Sequence, residues 1–402
     1  MSTSIIAADS PPGFAGYIRA DGRVGVRNHL ALVSTVALAN RIAELSAARF
    51  DAARGPGTDP VLRIQGEFQR GLQTADAALQ DYVLFRLISH PNVGAAVVLC
   101  HDLSTAQRWI ARLKGQTTSV LVLAVMAYHG INDAITQTVN ALTALAALLK
   151  PMQRDWCGFS RLTFALECGG SDASSAICSN PAIGRFVDRA VALGASVIVS
   201  ETAEFIGGEE VVRAQSANGD IAERIIERIA RTESRMTSDG DRYRGTNPTS
   251  ENIEAGLTTL VEKTMGALCK IGRSPFVDCL NFGQPATQPG LSFMDTPFFS
   301  PCSITGMVAA GAQITLFSMG VFNPSGNPLA PTLKVCGNPD TVSRWSDGID
   351  VALVDLLEGR INLDAAGERV MEAVLGVAGG ERTHTESWGE GQFMIPRELP
   401  TF

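Results

Sequence analysis

Thiol, carboxylate and ammonium groups recur in this chain in three short words. Glu167-Cys168-Gly169-Gly170-Ser171-Asp172 places a thiol, a hydroxyl and two carboxylates along six residues. Its paired glycines permit a tight turn and close backbone approach. Glu201-Thr202-Ala203-Glu204 adds two more carboxylates. A thiolate with carboxylates suits a divalent transition metal, which makes Cys168, Glu201 and Glu204 candidate ligands. The same residues also read as a Gly-rich turn with an N-cap Asp and exposed glutamates, and spacing alone leaves both open. Gly22-Arg23-Val24-Gly25-Val26-Arg27-Asn28-His29 is the second word. Arg27 offers a planar fork for a carboxylate, with Asn28 and His29 as further hydrogen-bonding groups. The word precedes a strand and lacks GxGxxG, and no Walker A sequence occurs, so neither nucleotide fingerprint is present. The third is Asn247-Pro248-Thr249 with Gly256-Leu257-Thr258-Thr259 and Glu262-Lys263. It reads as a loop entering a helix, whose N-terminus attracts anions. Lys263, two turns in, is either a site cation or an ordinary helical lysine. Cys100-His101-Asp102 also ends a strand, but neighbouring strand residues point to opposite faces. A buried Cys and a loop His is the simpler reading there.

These words need a frame that holds them at strand ends. Residues 29–36 read as an apolar, β-branched strand, followed by a helix over 39–50 and a break at Gly55-Pro56-Gly57. Strands follow at 94–100 and 119–124, with helices at 104–114 and 131–149. The Pro-, Trp- and Gly-containing stretch 150–161 marks a boundary, giving domains 1–155 and 156–402. Beyond it come strands at 162–167 and 196–200, a helix at 181–193 ended by Gly194, and a helix with Ile221, Ile225 and Ile229 on one face. A polar loop at 238–250 leads to a helix over 254–270. Short strands at 313–317 and 332–335 and helices at 341–358 and 366–377 complete the chain. Strands alternating with helices give the α/β class: two domains built on mostly parallel sheets flanked by helices. Ligands of such sheets bind beyond the carboxyl ends of the strands. Cys168, Asp172, Glu201 and Glu204 fall there, and converge if their strands are neighbours.

The 402 residues allow two or three domains. A 45% hydrophobic and 18% charged composition excludes a disordered chain. The net charge of -8 leaves no basic surplus for phosphates, so no nucleic-acid partner is expected. Apolar runs such as 120–127 are too short to span a bilayer, so no membrane partner is expected either. The N-terminus lacks a basic n-region and a long apolar h-region. Eight cysteines without a CxxC pair read as reduced thiols, so a cytoplasmic location is expected.

The words GYIRADGRVGVRNHL, HPNVGAAVVL, ECGGSDASSAICSNPAIG, VIVSETAEFIGGEE, NPT with GLTTLVEK, GLSFMDTP and TESWGEGQF stand in this order from about Gly16 to Phe393. In them the chain resembles the altronate dehydratase/galactarate dehydratase family, which also includes the large subunit of sulfolactate sulfo-lyase. The resemblance implies a lyase that eliminates water from a sugar acid, or sulfite from sulfolactate, next to a carboxylate. An electrophile must stabilise the enediolate while a base takes the α-proton. It implies a divalent metal, Fe2+ foremost with Mn2+ or Zn2+ as alternatives, held by Cys168, Glu201 and Glu204. It implies a catalytic set of Arg27, Asn28, His29, Ser171, Asp172 and Lys263, with Asp172 as base. A small hydroxy-acid substrate, a homo-oligomer and a separate small SAF-domain subunit are expected with it.

The chain departs from the family pattern at several polar positions. The family's His and Gly-Cys pair before HPNVG is replaced by Gln65-Gly66-Glu67-Phe68-Gln69-Arg70, and its first-turn Cys by Leu38. Glu251-Asn252 stands for the family's Gly-Asn. Ser318-Met319-Gly320-Val321-Phe322 stands for TTGRG, and residues 349–354 for MDxNAG. An altered substrate is expected, smaller or more apolar than galactarate or altronate or with a different leaving group; the alternative is a catalytically impaired paralogue that binds a sugar acid.

Overall fold

Two parallel sheets organise the chain in the computed structural model, which describes residues 12–55, 59–237, 247–399 and 401. The expected ragged N-terminus, part of the Gly55 break and most of the polar loop 238–250 lie outside these residues.

The first seven strands are β1 (Gly13–Ile18), β2 (Val24–Gly25), β3 (His29–Ser34), β4 (Leu62–Ile64), β5 (Val93–Cys100), β6 (Ser119–Ala124) and β7 (Asp155–Gly158). Four of them form a parallel sheet in the order β4-β3-β5-β6. Every residue of β5 is buried, as its sequence VGAAVVLC requires of a strand covered on both faces. Ala96 and Val98 pack with Val83, Leu84 and Leu87 of helix Thr74–Ile88. Ala95, Val97 and Leu99 pack with Ala43 of helix Asn40–Ala53 and Leu142 of helix Ile131–Leu149. Asp102 starts the helix Leu103–Leu113 by accepting from the Thr105 amide at 2.9 Å. That carboxylate is therefore a cap, and the Cys100-His101-Asp102 word is structural at this end.

The second half contributes β8 (Thr163–Cys168), β9 (Ser196–Val199), β10 (Phe276–Leu280), β11 (Gly290–Met294), β12 (Ile314–Met319), β13 (Thr332–Cys336) and β14 (Val351–Ala352). They form one seven-stranded parallel sheet, β10-β11-β9-β8-β12-β13-β14. The α/β class of mostly parallel sheets flanked by helices is what the structure has. On one face Phe164 and Leu166 pack with Phe186 and Val187 of helix Asn180–Ala192 and with Val370 and Val374 of helix Leu363–Gly379. On the other, Ala165 and Phe317 join helix Ser300–Ala309 in a cluster that also holds Val83 and Ala96 of the first sheet. One apolar core therefore runs between the two sheets.

A third, antiparallel sheet, β2-β1-β7, ties the first described residues to residues 155–158. Phe14, Val24 and Val26 are buried in the same cluster as Phe164. The first segment thus packs with the large sheet across the expected 155/156 division.

The helix expected over 254–270 is broken. A short helix Ser250–Glu254 ends before Gly256, which sits at φ +100, a conformation that glycine adopts without strain. Thr259 then caps a new helix, Leu260–Leu268, by accepting from the Glu262 amide at 3.1 Å. The chain tightens into a 3-10 turn over Cys269–Ile271. The helix expected over 341–358 is likewise divided: Pro339–Arg344, then β14, then Val354–Leu357.

Candidate active site

β8 and β9 are hydrogen-bonded neighbours, with Leu166 opposite Val199, so their carboxyl ends lie side by side. Cys168 closes β8, and Glu201 follows β9 by two residues. Glu201 has φ 64 and ψ 73, a left-handed conformation that costs a non-glycine residue free energy. Thr296, just past β11, holds it there. The Glu201 amide donates to Thr296 Oγ1 at 2.9 Å, and the Thr296 amide donates to Thr202 Oγ1 at 3.2 Å. Strain held by surrounding bonds at a strand end is a mark of a functional site. The turn delivers Glu204 to the Cys168 side.

Two lysines meet these carboxylates from helix Leu260–Leu268 and the turn after it. Seven residues separate them, about two helical turns, so both face the strand ends. Lys270 Nζ donates to Cys168 Sγ at 2.9 Å and to Glu204 Oε2 at 2.6 Å. Lys263 Nζ lies 3.8 Å from Glu204 Oε1 and 4.2 Å from the centre of the Phe298 ring. It is 4% exposed, yet among the described residues it makes no hydrogen bond. Glu167, one residue before Cys168, accepts from Ser303 Oγ at 2.6 Å. Glu167 Oε1, Glu201 Oε2 and Glu204 Oε1 are enclosed without a hydrogen-bond partner.

Burial sets the protonation of this group. It pushes Glu167 up to about 8, and with Glu167 and Glu204 nearby it holds Glu201 well above the ordinary carboxylate range. Burial would also raise Glu204, but Lys270 and Lys263 outweigh it and keep that carboxyl below its usual value. Burial opposes the charge of Lys270, yet Cys168, Glu204 and Glu201 hold its pKa above normal. Burial raises the Cys168 thiol. The site therefore carries the Lys270 ammonium, an ionised Glu204 and neutral neighbours. Carboxyl groups driven apart in this way provide a base and an acid in one place.

The structure distributes the expected site residues over two places. Cys168, Glu201, Glu204 and Lys263 come together. Ser171 and Asp172 lie on the adjoining turn, but Asp172 is engaged. Its carboxylate accepts from Ser174 Oγ at 2.7 Å, the Ser175 amide at 2.8 Å and Asn338 Nδ2 at 2.7 Å. Ser171 holds the third word in place, its carbonyl accepting from Asn252 Nδ2 at 3.1 Å. The departure at Val321 and Phe322 seals this turn. The Gly320 and Val321 amides donate to Gly170 O at 2.9 and 2.8 Å, and Phe322 stacks on Trp345 with ring centres 4.6 Å apart.

Arg27, Asn28 and His29 are at the other end of the large sheet. Gln313, just before β12, accepts from the first amide of β8 and donates to Val24 O at 2.8 Å. The six residues of β8 then span about 20 Å to Cys168. The fork of Arg27 is filled by Glu386, at 2.7 and 2.8 Å, with further bonds to the Val377 and Glu381 carbonyls. Its buried guanidinium is thus spent inside the protein and not left open to a substrate carboxylate. Asn28 accepts from Arg19 at 2.8 Å. His29 lines a cleft of about 660 Å³ with Arg63, Glu67, Phe68, Arg382 and Phe393. Its Nε2 has no partner, and burial, with Arg27 nearby, lowers its pKa to about 4, which leaves it neutral.

The metal implied by the resemblance does not fit the candidate ligands. The ammonium of Lys270 stands between Cys168 and Glu204. Among the described residues no three His, Cys, Asp or Glu side chains are arranged to hold an ion. Glu167, Lys270 and Ser303 also belong to the site, beyond the residues expected from the sequence. A charged residue inside the apolar run of β8, and a second lysine two turns after Lys263, were the signals.

Residues 16–150 match the family model described as D-galactarate dehydratase/Altronate hydrolase, second domain. Residues 159–401 match D-galactarate/Altronate dehydratase, C-terminal. A (2R)-sulfolactate sulfo-lyase subunit beta from Chromohalobacter salexigens is 32% identical, over 96% of this chain and 97% of that protein. An altronate dehydratase of Bacillus subtilis is 29% identical, over 93% of this chain and 75% of the relative. A galactarate dehydratase (L-threo-forming) of Escherichia coli is 27% identical, over 94% and 75%. Among the described residues no helix is long and apolar enough to cross a membrane.

Proposed function

The chain belongs to the D-galactarate/altronate dehydratase family, and on that premise we propose that it is a lyase acting by β-elimination on a small 2-hydroxy acid. The observation that carries this reading is Lys263: a buried ammonium without a hydrogen bond, beside unpartnered oxygens of Glu204 and Glu201. A buried cation held only by a 3.8 Å ion pair and a ring face, with no hydrogen bond, is costly unless a ligand completes it. A substrate carboxylate does so, and the free carboxyl oxygens receive its hydroxyl groups. Glu204, kept ionised by Lys270, takes the proton from the carbon next to the carboxylate. The bond to the leaving group on the neighbouring carbon breaks, and neutral Glu167 or Glu201 gives a proton to a departing hydroxide. The enol that remains becomes a 2-keto acid. Phe298, whose ring covers Lys263, swings aside to admit the acid.

A second reading changes only the leaving group: sulfite departs and a C–S bond breaks. The sulfo-lyase subunit aligned along 97% of its length supports it, as against 75% for the dehydratases. The name of that relative also supports a partner subunit here. Eight unpaired cysteines support a cytosolic setting. The apolar Val321 and Phe322 near the Cys168 turn support an acid shorter than galactarate or altronate.

The test is a substrate panel of short 2,3-dihydroxy acids, galactarate, altronate and a 3-sulfonated 2-hydroxy acid. Keto-acid formation and sulfite release are measured. Turnover of one short acid, lost in Lys263→Met, is expected. Failure of the whole panel, or full activity in Lys263→Met, overturns the proposal.

A further inference from the structure

A metal ion shared by a thiolate and a carboxylate lies about 2.3 Å from the sulfur and about 2.0–2.2 Å from the oxygen. Between Cys168 Sγ and Glu204 Oε2 that position is taken. Lys270 Nζ sits 2.9 Å from the sulfur and 2.6 Å from the oxygen, with the lysine side chain 2% exposed. Two cations cannot share one such space. The backbone that carries Lys270 is pressed against helix Asn180–Ala192, and its side chain is enclosed. A Cβ on Gly184 would meet Cys269 O at 2.4 Å, and one on Gly272 would meet Asp188 Oδ1 at 2.5 Å and Gly184 O at 2.6 Å. Asp188 Oδ1 also accepts from the Arg273 and Ser274 amides at 2.7 and 3.0 Å. The turn that carries Lys270 is thus fixed to that helix at both Cys269 and Gly272.

We infer that Lys270 is a built-in cation standing where a divalent metal would bridge Cys168 and Glu204, so that this pair stays metal-free in the native chain. Lys270 is a positioning residue: it aims and ionises Glu204 without touching substrate. The inference concerns only what lies between Cys168 and Glu204, and it holds whichever acid is turned over. It also assigns a latent property to the pair. With the ammonium removed, the Cys168 thiol and the Glu204 carboxylate are left as two protein ligands that a thiophilic divalent ion can share, with water completing its shell.

The experiment is a Co2+ titration of the full chain purified without oxygen, followed by the near-ultraviolet thiolate-to-cobalt absorption. The wild type is expected to show no such band, and Lys270→Ala to develop it with one equivalent of Co2+. Cys168→Ser added to Lys270→Ala is expected to abolish it. A Lys270→Ala protein that folds but gives no band overturns the inference. Should Lys270→Ala fail to fold, metal analysis of the wild type beside Cys168→Ser decides. Stoichiometric metal lost in Cys168→Ser overturns the inference, and a metal content that Cys168→Ser leaves unchanged supports it.

Discussion

Replacing Lys263 by Met separates binding from folding at this site. Lys263 is 3.8 Å from Glu204 and its ammonium makes no hydrogen bond, so its removal breaks only a long ion pair and the contact with the Phe298 ring. Glu204 keeps Lys270 at 2.6 Å. The lost attraction is offset by no longer burying an ammonium, which leaves a net change within about 1 kcal/mol. A charge-assisted hydrogen bond to a substrate carboxylate is worth about 1.5–3 kcal/mol. Its loss lowers kcat/KM about 10- to 150-fold, at a tenfold change per ~1.4 kcal/mol. A carboxylate is held alike before and during proton transfer, so most of that loss falls on KM. Lys270→Met is the contrasting variant. It removes the donor at 2.6 Å and leaves buried Glu204 with no ammonium closer than 3.8 Å. Breaking a buried pair from one side costs about 3–5 kcal/mol. Steady-state kinetics beside thermal melting should thus show Lys263→Met melting near the wild type with a raised KM, and Lys270→Met melting several degrees lower, consistent with ~2–4 °C per kcal/mol. If Lys263→Met melts as low as Lys270→Met while its KM is unchanged, Lys263 is a structural partner of Glu204 and the substrate argument fails.

Three further outcomes follow from the same geometry. Glu167 keeps its proton to about 8 in the folded chain, whereas an unfolded glutamate releases it near ~4.3. Its contribution to stability is therefore present at acid pH and lost as pH rises through about 8. Thermal midpoints should fall from about pH 5 to 8 in the wild type and flatten in Glu167→Gln, whose amide still accepts from Ser303; equal slopes refute this. Arg27→Met breaks the buried fork with Glu386 and should cost about 3–5 kcal/mol in denaturant unfolding while activity per folded molecule holds. A Cβ on Gly320 would meet Asp172 Oδ1 at 1.8 Å. Gly320→Ala should therefore lower the melting temperature in step with an overpacking cost of about 1–3 kcal/mol.

The parts of the fold that the sequence displays are those governed by burial. The run GAAVVLC of β5 and the Ile221, Ile225, Ile229 stripe each follow from one covered face or two. Short edge elements such as β4 and β14 carry too few residues to show a period. The break at Gly256 depends on one left-handed residue and a threonine cap, and helical spacing on both sides of it conceals the interruption. At the site, the ends of β8 and β9 are legible because turns after parallel strands collect polar residues. The commitment of Arg27 to Glu386 is not, since the partners lie 359 positions apart in the chain. Only packing of helix Leu363–Gly379 brings them together. The role of Lys270 is not legible for a different reason: a lysine at a helix end normally reaches water, and here its side chain is enclosed.

The strand β1 and the residues up to Arg27 also bear on how the chain is made. Phe14, Val24 and Val26 find their apolar neighbours on the large sheet, and Arg27 finds its counter-charge at Glu386. Synthesis delivers these first-made residues long before their partners. A nascent chain that has completed the small parallel sheet still holds its amino-terminal arm unburied. That arm can pair with β7 once residues 155–158 are made, but its packing is complete only when helices Leu363–Gly379 and His384–Trp388 have left the ribosome. Contacts of such sequence separation are slow to form, and exposed apolar segments waiting for them invite association. Losing residues 383 onward would therefore strip Arg27 of its counter-charge at the opposite end of the chain, while the pairing of β1 with β7 remained.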